Sequence, residues 1–137
     1  MRVVFDASSV VGAALKADGV PMRALLAARS ADLIVLSSGV FDEIAEVLNR
    51  PKFATALPAD RRADILELLS AASIWVEPSI QVFDCPDPDD NKYLELALAA
   101  GADILVSSDR HLLSMNPWRG VTILRPAEFL ASRASEL

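Results

Sequence analysis

Residues 84–109, DCPDPDDNKYLELALAAGADILVSSD, determine how the rest of the chain is organised. The segment opens with four aspartates that two prolines interrupt, and an apolar run of helical composition follows as far as Gly101. A short strand then leads into Ser107, Ser108 and Asp109. This order places carboxylates at the N-terminus of a helix and at the carboxyl end of a strand. In open parallel sheets, ligands bind at the carboxyl ends of the strands.

The chain also begins with a short strand that ends in an aspartate. Residues 3–5 are a continuous run of β-branched and aromatic side chains, typical of a strand buried on both faces, and Asp6 closes the run. Apolar runs predict the other strands, and helical composition and spacing predict the helices between them. The predicted strands span residues 3–5, 33–36, 74–76, 103–106 and 121–124, and the predicted helices span residues 10–16, 22–28, 40–48, 58–69, 90–100, 111–113 and 126–132.

Strands that alternate with helices predict an α/β fold with a mostly parallel sheet and right-handed crossovers. The length of 137 residues suits one domain, spanning residues 1–137, with a sizeable core. The hydrophobic fraction of 53% excludes a disordered chain. No internal repeat, low-complexity segment or domain linker is visible in the sequence.

Charge and cysteine content indicate the setting in which the protein works. Cys85 is the single cysteine, so an intrachain disulfide is excluded and a reducing interior is expected. No signal-peptide pattern and no apolar run of membrane-spanning length occurs, so we expect a cytoplasmic protein without a membrane partner. The formal net charge of −6 argues against a protein that coats nucleic acids. It is compatible with an enzyme whose acidic centre meets phosphates through a metal ion.

Four carboxylates are expected to meet at one edge of the sheet. If the first and fourth strands are neighbours, Asp6 and Asp109 end side by side, and Asp90 begins the helix that leads into the fourth strand. The helix after the second strand adds Glu43, at the border of its apolar face. Carboxylates that converge without His or Cys favour hard cations such as Mg²⁺ or Mn²⁺. Such ions support phosphoryl transfer to water.

Each acidic residue also has a structural interpretation. Asp90 suits the N-cap of a helix, and Asp109 suits a turn or the cap of a short helix. Glu43 alone would be a solvated helix residue. Asp6 is harder to explain in this way, because a carboxylate that ends a buried strand has little evident structural use. Asp87 and Asp89 lie among prolines and are interpreted as turn residues.

The remaining polar and aromatic residues give weaker indications. His111, the single histidine, is interpreted as a surface or loop residue. Trp75 is expected in the core, and Trp118 is expected to pack within a loop. A local basic cluster either guides phosphate groups or forms a solvated helix end, with equal support for both. It consists of Arg50, Lys52, Arg61 and Arg62.

Four stretches together resemble the PIN domain, and specifically the VapC-like PIN toxins of bacterial toxin–antitoxin systems. They are VVFDAS (residues 3–8), SSGVFDEIAEVLNRPKF (37–53), DPDDNKYLELALAAGADILVSSD (87–109) and ILRPAEFL (123–130). The resemblance covers nearly the whole chain. It implies a three-layer fold with a mostly parallel central sheet of about five strands flanked by helices.

The resemblance also implies a function. By position, the four acidic residues of the family fall on Asp6, Glu43, Asp90 and Asp109, which the residue chemistry selects as well. A family member with this set would be a Mg²⁺- or Mn²⁺-dependent endoribonuclease that cleaves RNA. A small antitoxin protein would neutralise it, and it would often form a homodimer.

One position departs from the family pattern. The family often has Asp-Thr-Asn after the first strand, whereas this chain has Asp6, Ala7 and Ser8. Ser8 lacks the Asn amide that would orient Asp6 or a metal-bound water, although its hydroxyl can substitute. Ser107 takes the place of the family's small hydroxyl residue, and Ser8, Ser107 and Arg50 are candidate substrate contacts. Asp89 is the fallback for Asp90, one residue out of register.

Two other functional classes remain as alternatives. A catalytically weak or inactive PIN-like module that only binds RNA or protein is favoured by Ser8, whereas retention of all four carboxylates opposes it. A phospho-acceptor domain of receiver type shares the α/β layering and clustered aspartates. That domain needs an aspartate after the third strand, where this chain has Val76, Glu77 and Pro78.

Overall fold

The computed structural model describes residues 1–134, in which five strands form one sheet flanked by helices. Residues 135–137 of the expected 1–137 domain lie outside the described part. The strands are β1 (Arg2–Phe5), β2 (Leu33–Leu36), β3 (Ser73–Trp75), β4 (Ile104–Val106) and β5 (Thr122–Leu124). The helices are α1 (Ala7–Leu15), α2 (Val20–Ala31), α3 (Ser38–Leu48), α4 (Ala59–Ala72), α5 (Asn91–Ala100), α6 (Arg110–Leu113) and α7 (Pro126–Ala134), with 3₁₀ turns at Pro51–Phe53 and Pro88–Asp90.

The order of the strands places the ends of β1 and β4 together. The sheet runs β3-β2-β1-β4-β5, and every neighbouring pair is parallel. The chain therefore builds outward from β1 to β3, then crosses back to add β4 and β5 on the other side. Phe5 pairs with Val106, so the two strands end level with each other. Ligands bind at such a topological switch point in open α/β sheets. The predicted α/β fold is confirmed, and the sheet is parallel throughout.

The central strands are apolar because helices cover both faces of the sheet. Every residue of β4 is buried, as are Val3, Val4 and Phe5 in β1. Helix α5 packs along β1, β2 and β4, while α2 packs against both α1 and α7. No helix within the described residues is both long and apolar enough to cross a membrane.

The two tryptophans differ in their burial. The prediction that Trp75 lies in the core is wrong: β3 is an edge strand, and Trp75 is 43% exposed there. Its ring lies against Phe41, and its indole N–H donates to the backbone oxygen of Ser70. Trp118 is buried as expected, and its indole N–H donates to Asp84 at 2.9 Å.

Local capping explains where the helices begin and end. Helix α1 starts at Ala7, three residues earlier than predicted, because the Asp6 side chain caps it. Ser37 caps α3 by accepting from the N–H of Val40. Gly101 ends α5 as predicted, and its φ of +62° lies in the left-handed region that favours glycine.

Candidate active site

Asp6 follows β1 and is 2% exposed. Its Oδ1 accepts from the backbone N–H of Ser9 at 2.9 Å and from the hydroxyls of Ser8 and Ser9, and its Oδ2 accepts from Ser107 Oγ at 2.5 Å. Burial raises the pKa of Asp6, and these hydrogen bonds only partly offset it. Asp6 therefore has a structural use that the sequence did not reveal, because it caps α1 and ties β1 to the residue after β4.

Two serine hydroxyls join the ends of β1 and β4. Ser107 Oγ donates to Asp6 and accepts from the N–H of Asp109 at 2.9 Å. Ser8 Oγ also donates to Asp6 and accepts from the N–H of Ser108 at 3.0 Å. Ser107 is fully buried, so here its hydroxyl fixes the positions of Asp6 and Asp109 rather than facing a substrate. Ser8, half-buried, provides the orienting contact expected of a substitute for the family asparagine.

Asp109 caps α6 and still has a carboxylate oxygen to offer. Its Oδ1 accepts from the backbone N–H groups of His111 at 2.8 Å and Leu112 at 3.3 Å. Because both hydrogen bonds use Oδ1, Oδ2 is open to another ligand. The capping role that the sequence suggested is confirmed, and it leaves room for a second role.

Asp90 occupies the N-cap position of α5, as the sequence suggested, but its side chain makes no capping hydrogen bond. It lies at the end of the turn Pro88–Asp90, directly before α5, and its Oδ2 is buried without a hydrogen-bond partner. Burial raises the pKa of Asp90 to about 7, and repulsion from neighbouring carboxylates adds to this shift. These carboxylates belong to Asp109, Asp87, Asp6 and Glu43. Asp90 therefore interacts electrostatically with the other three acidic residues predicted for the site.

Glu43 is held by two residues that the sequence reasoning missed. Its Oε2 forms an ion pair with Lys92 Nζ, and its Oε1 accepts from the hydroxyl of Tyr93. The Glu43 side chain is only 19% exposed, so its interpretation as a solvated helix residue is wrong. In the sequence, a lysine and a tyrosine directly follow Asp90 and Asn91. Glu43, which both of them contact, lies 49 and 50 residues earlier, so no local pattern in the sequence indicates these contacts.

Tyr93 lies beneath the acidic side chains. It is 1% exposed, and its hydroxyl accepts from the N–H of Ala7 at 3.2 Å while donating to Glu43. Burial, followed by the hydrogen bond and negative charge of Glu43, raises the pKa of Tyr93 well above its ordinary value. The phenol therefore stays protonated and remains a donor.

Two of the four residues of the local basic cluster, Arg50 and Arg61, have polar partners. Arg50 forms an i,i+4 ion pair with Glu46 at 3.0 Å and is otherwise exposed. Arg61 donates to the backbone oxygens of Ala14 at 2.5 Å and Ala13 at 3.2 Å, at the C-terminus of α1. Of the two interpretations, a helix-end role suits Arg61, and Arg50 is exposed in its ion pair at the end of α3.

The donors in the centre suit a hard divalent cation. Within residues 1–134 no three His, Cys, Asp or Glu side chains form a ready-made metal cage. Mg²⁺ does not need one, because it is usually bound by one or two carboxylates together with waters and substrate phosphates. Asp90 offers a buried oxygen without a partner, and Asp109 offers Oδ2. A cation there would compensate the burial and the repulsion that together raise the pKa of Asp90.

The fold and the site define an α/β domain with an acidic centre at the switch point of a parallel sheet. The family model described as PIN domain matches residues 2–111, and the chain belongs to the PIN domain family. The family recognised from the sequence is therefore confirmed. Its matched region includes the four acidic residues, Asp6, Glu43, Asp90 and Asp109.

Two known proteins illustrate the relationship. The chain is 27% identical over 117 residues to the uncharacterized protein MJ1680 of Methanocaldococcus jannaschii, covering 84% of this chain and 75% of the relative. It also resembles a chain in the crystal structure of VapBC2 from Rickettsia felis bound to a DNA fragment from their promoter. That match has a TM-score of 0.61 and 13% identity, and it covers 90% of this chain and 97% of the other. At this identity the likeness concerns the fold.

Proposed function

We propose that this protein is a Mg²⁺- or Mn²⁺-dependent endoribonuclease and the toxin of a toxin–antitoxin system, acting in the cytoplasm. The observation that carries the proposal is the state of Asp90. A buried carboxylate oxygen without a hydrogen-bond partner, in repulsion with four other carboxylates, is unfavourable in the protein alone. A bound cation would satisfy that oxygen and offset the repulsion.

In this proposal Asp90, Asp109 and Asp6 hold the cation. When bound, the cation lowers the pKa of a water and stabilises negative charge on the phosphodiester. Ser107 and Ser8 fix Asp6 and the residues after β4 in place. Glu43 completes the acidic shell or receives a proton from the attacking water.

Substrate RNA would approach the exposed edge of the centre. A groove of about 420 Å³ beside Lys92 is lined by residues that follow β2 and β3, among them Ser37, Ser79 and Gln81. Arg50, with 46% of its side chain exposed, is the proposed contact to a phosphate, and half-buried Ser8 is the second proposed substrate contact. Because the net charge is −6, the attraction of RNA would come from individual basic side chains near the centre rather than from the charge of the whole protein.

The test is cleavage of a mixed structured RNA with Mn²⁺, with Mg²⁺ and with EDTA. We expect cleavage only with a metal ion, and a loss of at least about 100-fold in Asp90→Asn because the metal site loses a charged ligand. Asp89→Asn is the matched control: it removes an exposed carboxylate one residue away and should cleave like the wild type. Cleavage in EDTA, or cleavage that survives Asp90→Asn, would contradict the proposal.

The toxin role and its partners require a separate test. The likeness to a chain of VapBC2 supports a small antitoxin partner, and we propose a homodimer. Induced expression should arrest growth, Asp90→Asn should relieve the arrest, and light scattering should give twice the chain mass of 14.7 kDa. Growth arrest by Asp90→Asn equal to that by the wild type would separate toxicity from cleavage.

The Lys92–Glu43 ion pair favours a second candidate function. Because Lys92 already neutralises one of the four carboxylates, the centre needs less compensation from a cation. A PIN-like module that binds RNA or protein without cleaving it is compatible with this pairing. Calorimetric Mn²⁺ binding without cleavage of any RNA in a mixed pool would favour that module.

A further inference from the structure

Tyr93 joins three parts of the acidic centre through one hydroxyl. The residue lies in the first turn of α5, three positions after Asp90. Its hydroxyl donates to Glu43 in α3 and accepts from the N–H of Ala7, the first residue of α1. Ala7 follows Asp6 directly. One buried side chain thus contacts Glu43 and the turn that carries Asp6.

The hydroxyl of Tyr93 is explained by these two polar partners. The residue is 1% exposed within the hydrophobic core, where an unpaired hydroxyl is unfavourable and phenylalanine would serve packing alone. The N–H of Ala7 is one of the first helical amides that have no partner within their own helix. Tyr93 accepts from that amide while its proton points to Glu43.

Tyr93 also determines where the Glu43 carboxylate lies. Lys92 contacts the other carboxylate oxygen, but its side chain is 36% exposed and flexible. The buried phenol is rigid in comparison, since packing fixes both of its side-chain torsions. Without the hydroxyl, the ion pair with the partly exposed Lys92 would be the remaining side-chain contact that holds Glu43.

We infer that Tyr93 is a positioning residue of the nuclease centre: its hydroxyl fixes the Glu43 carboxylate and the Asp6 turn relative to Asp90. The inference rests on the proposed function. Tyr93 contacts neither metal nor RNA in this assignment and acts only through Glu43 and Ala7. Removal of the hydroxyl therefore changes the hydrogen bonding of Glu43 and of the Ala7 amide.

Kinetics of Tyr93→Phe test the inference, because this change keeps the ring and removes the hydroxyl. We expect kcat to fall about 10- to 100-fold with KM for RNA unchanged within about twofold. In a Glu43→Gln background the same change should lower kcat less than about threefold, because the carboxylate that it positions is already gone. A full additive loss in that background would show that the hydroxyl does not act through Glu43 and would overturn the inference.

A spectroscopic measurement tests the contact without reference to activity. Tyr93 is the single tyrosine, so a ¹³Cζ label gives one NMR signal that reports the hydrogen bond of the phenol. We expect Glu43→Gln to shift this signal and Glu46→Gln, a control on the exposed side of the same helix, to leave it in place. An unmoved signal in Glu43→Gln would overturn the inference.

The possible outcomes separate the two proposals. A wild-type protein that cleaves no RNA overturns the proposed function, and the inference with it. A wild-type enzyme that cleaves RNA while Tyr93→Phe matches its kcat overturns the inference alone. Circular dichroism of each variant establishes that its fold is retained before the rates are compared.

Discussion

Among the four acidic residues of the centre, Asp90 has no structural partner. Asp6 and Asp109 cap helices, and Glu43 is held by Lys92 and Tyr93, whereas Asp90 leaves Oδ2 buried and without a hydrogen bond. Burial and neighbouring negative charge raise the pKa of Asp90 to about 7. The side chain that does least for the fold is thus one whose negative charge is unfavourable in the folded protein.

The raised pKa of Asp90 predicts how the free energy of unfolding depends on pH when metal is removed. The pKa of Asp90 is higher in the folded state than in the unfolded state, so the folded state binds the proton more tightly. Its contribution to stability therefore declines as pH rises from about 4, the ordinary value for aspartate, to about 7, and it stays at its lowest above that range. The pH range between these two values is where the effect is measured.

In EDTA at pH 8, we expect Asp90→Asn to be more stable than the wild type. The expected gain in the free energy of unfolding is about 1–2 kcal/mol. The pKa shift of Asp90 sets an upper limit of roughly 4 kcal/mol, and solvent screening of the partly exposed carboxyl lowers it. The advantage should shrink at pH 5, where the wild-type carboxyl is largely protonated. Urea denaturation at both pH values measures it, with Asp89→Asn as control. A wild type more stable than Asp90→Asn at pH 8 would contradict the assignment.

At the scale of elements, Arg61 of α4 supports the C-terminus of α1. Its guanidinium donates to the carbonyl oxygens of Ala14 and Ala13, which have no partner within their own helix. Helix α1 begins at the Asp6 cap, so Asp6 and Arg61 stabilise opposite ends of the same helix.

We expect Arg61→Ala to lower the free energy of unfolding by about 1–2 kcal/mol, because two buried carbonyls lose a charged donor. The rate of RNA cleavage well below the melting temperature should stay within about twofold of the wild type. Chemical denaturation and the cleavage assay measure the two effects, and Arg62→Ala serves as the matched control. A large loss of cleavage with unchanged stability would favour the phosphate-guiding interpretation of the basic cluster.

Elements that depend on local sequence were predictable, and those that depend on distant packing were not. The strands β1 and β4 are predictable from their own apolar residues, and the end of α5 is predictable from Gly101. The exposure of Trp75 follows from the place of β3 at the sheet edge, which no local pattern encodes.

The same distinction explains the candidate site. Family motifs and strand ends indicated the four carboxylates in advance. The contacts of Lys92 and Tyr93 with Glu43 depend on how α3 packs against α5, two helices separated by α4 and β3 in the chain. The cap formed by Asp6 was missed because the predicted helix began three residues too late.

At the scale of the whole molecule, a buried ion pair connects α7 to the start of β2. Arg133 Nε lies 2.8 Å from Asp32 Oδ2, and the side chains are 8% and 3% exposed. Helix α7 also packs on α2 and β5, so the pair lies where the last helix joins the body of the protein. Because both charges are buried, the pair matters for folding although it is far from the acidic centre.

We expect Asp32→Asn to destabilise the protein by about 3 kcal/mol, since a buried guanidinium then loses a charged partner. The cleavage rate of the folded fraction should not change, because no residue of the centre is involved. Thermal denaturation gives the stability, and Asp18→Asn, an exposed residue, is the control. An effect below about 0.5 kcal/mol would show that the pair is not structurally important.

The strand order also determines when the centre exists during synthesis. Asp6 leaves the ribosome early, but its partner Ser107 and its neighbour Asp109 come about one hundred residues later. Chains emerge from the N-terminus, and β1 has no neighbour on the β4 side until that late segment appears. A nascent chain therefore carries no assembled acidic centre while it is held beside ribosomal RNA. For the ribonuclease proposed above, this order of assembly would delay activity until the chain is nearly complete.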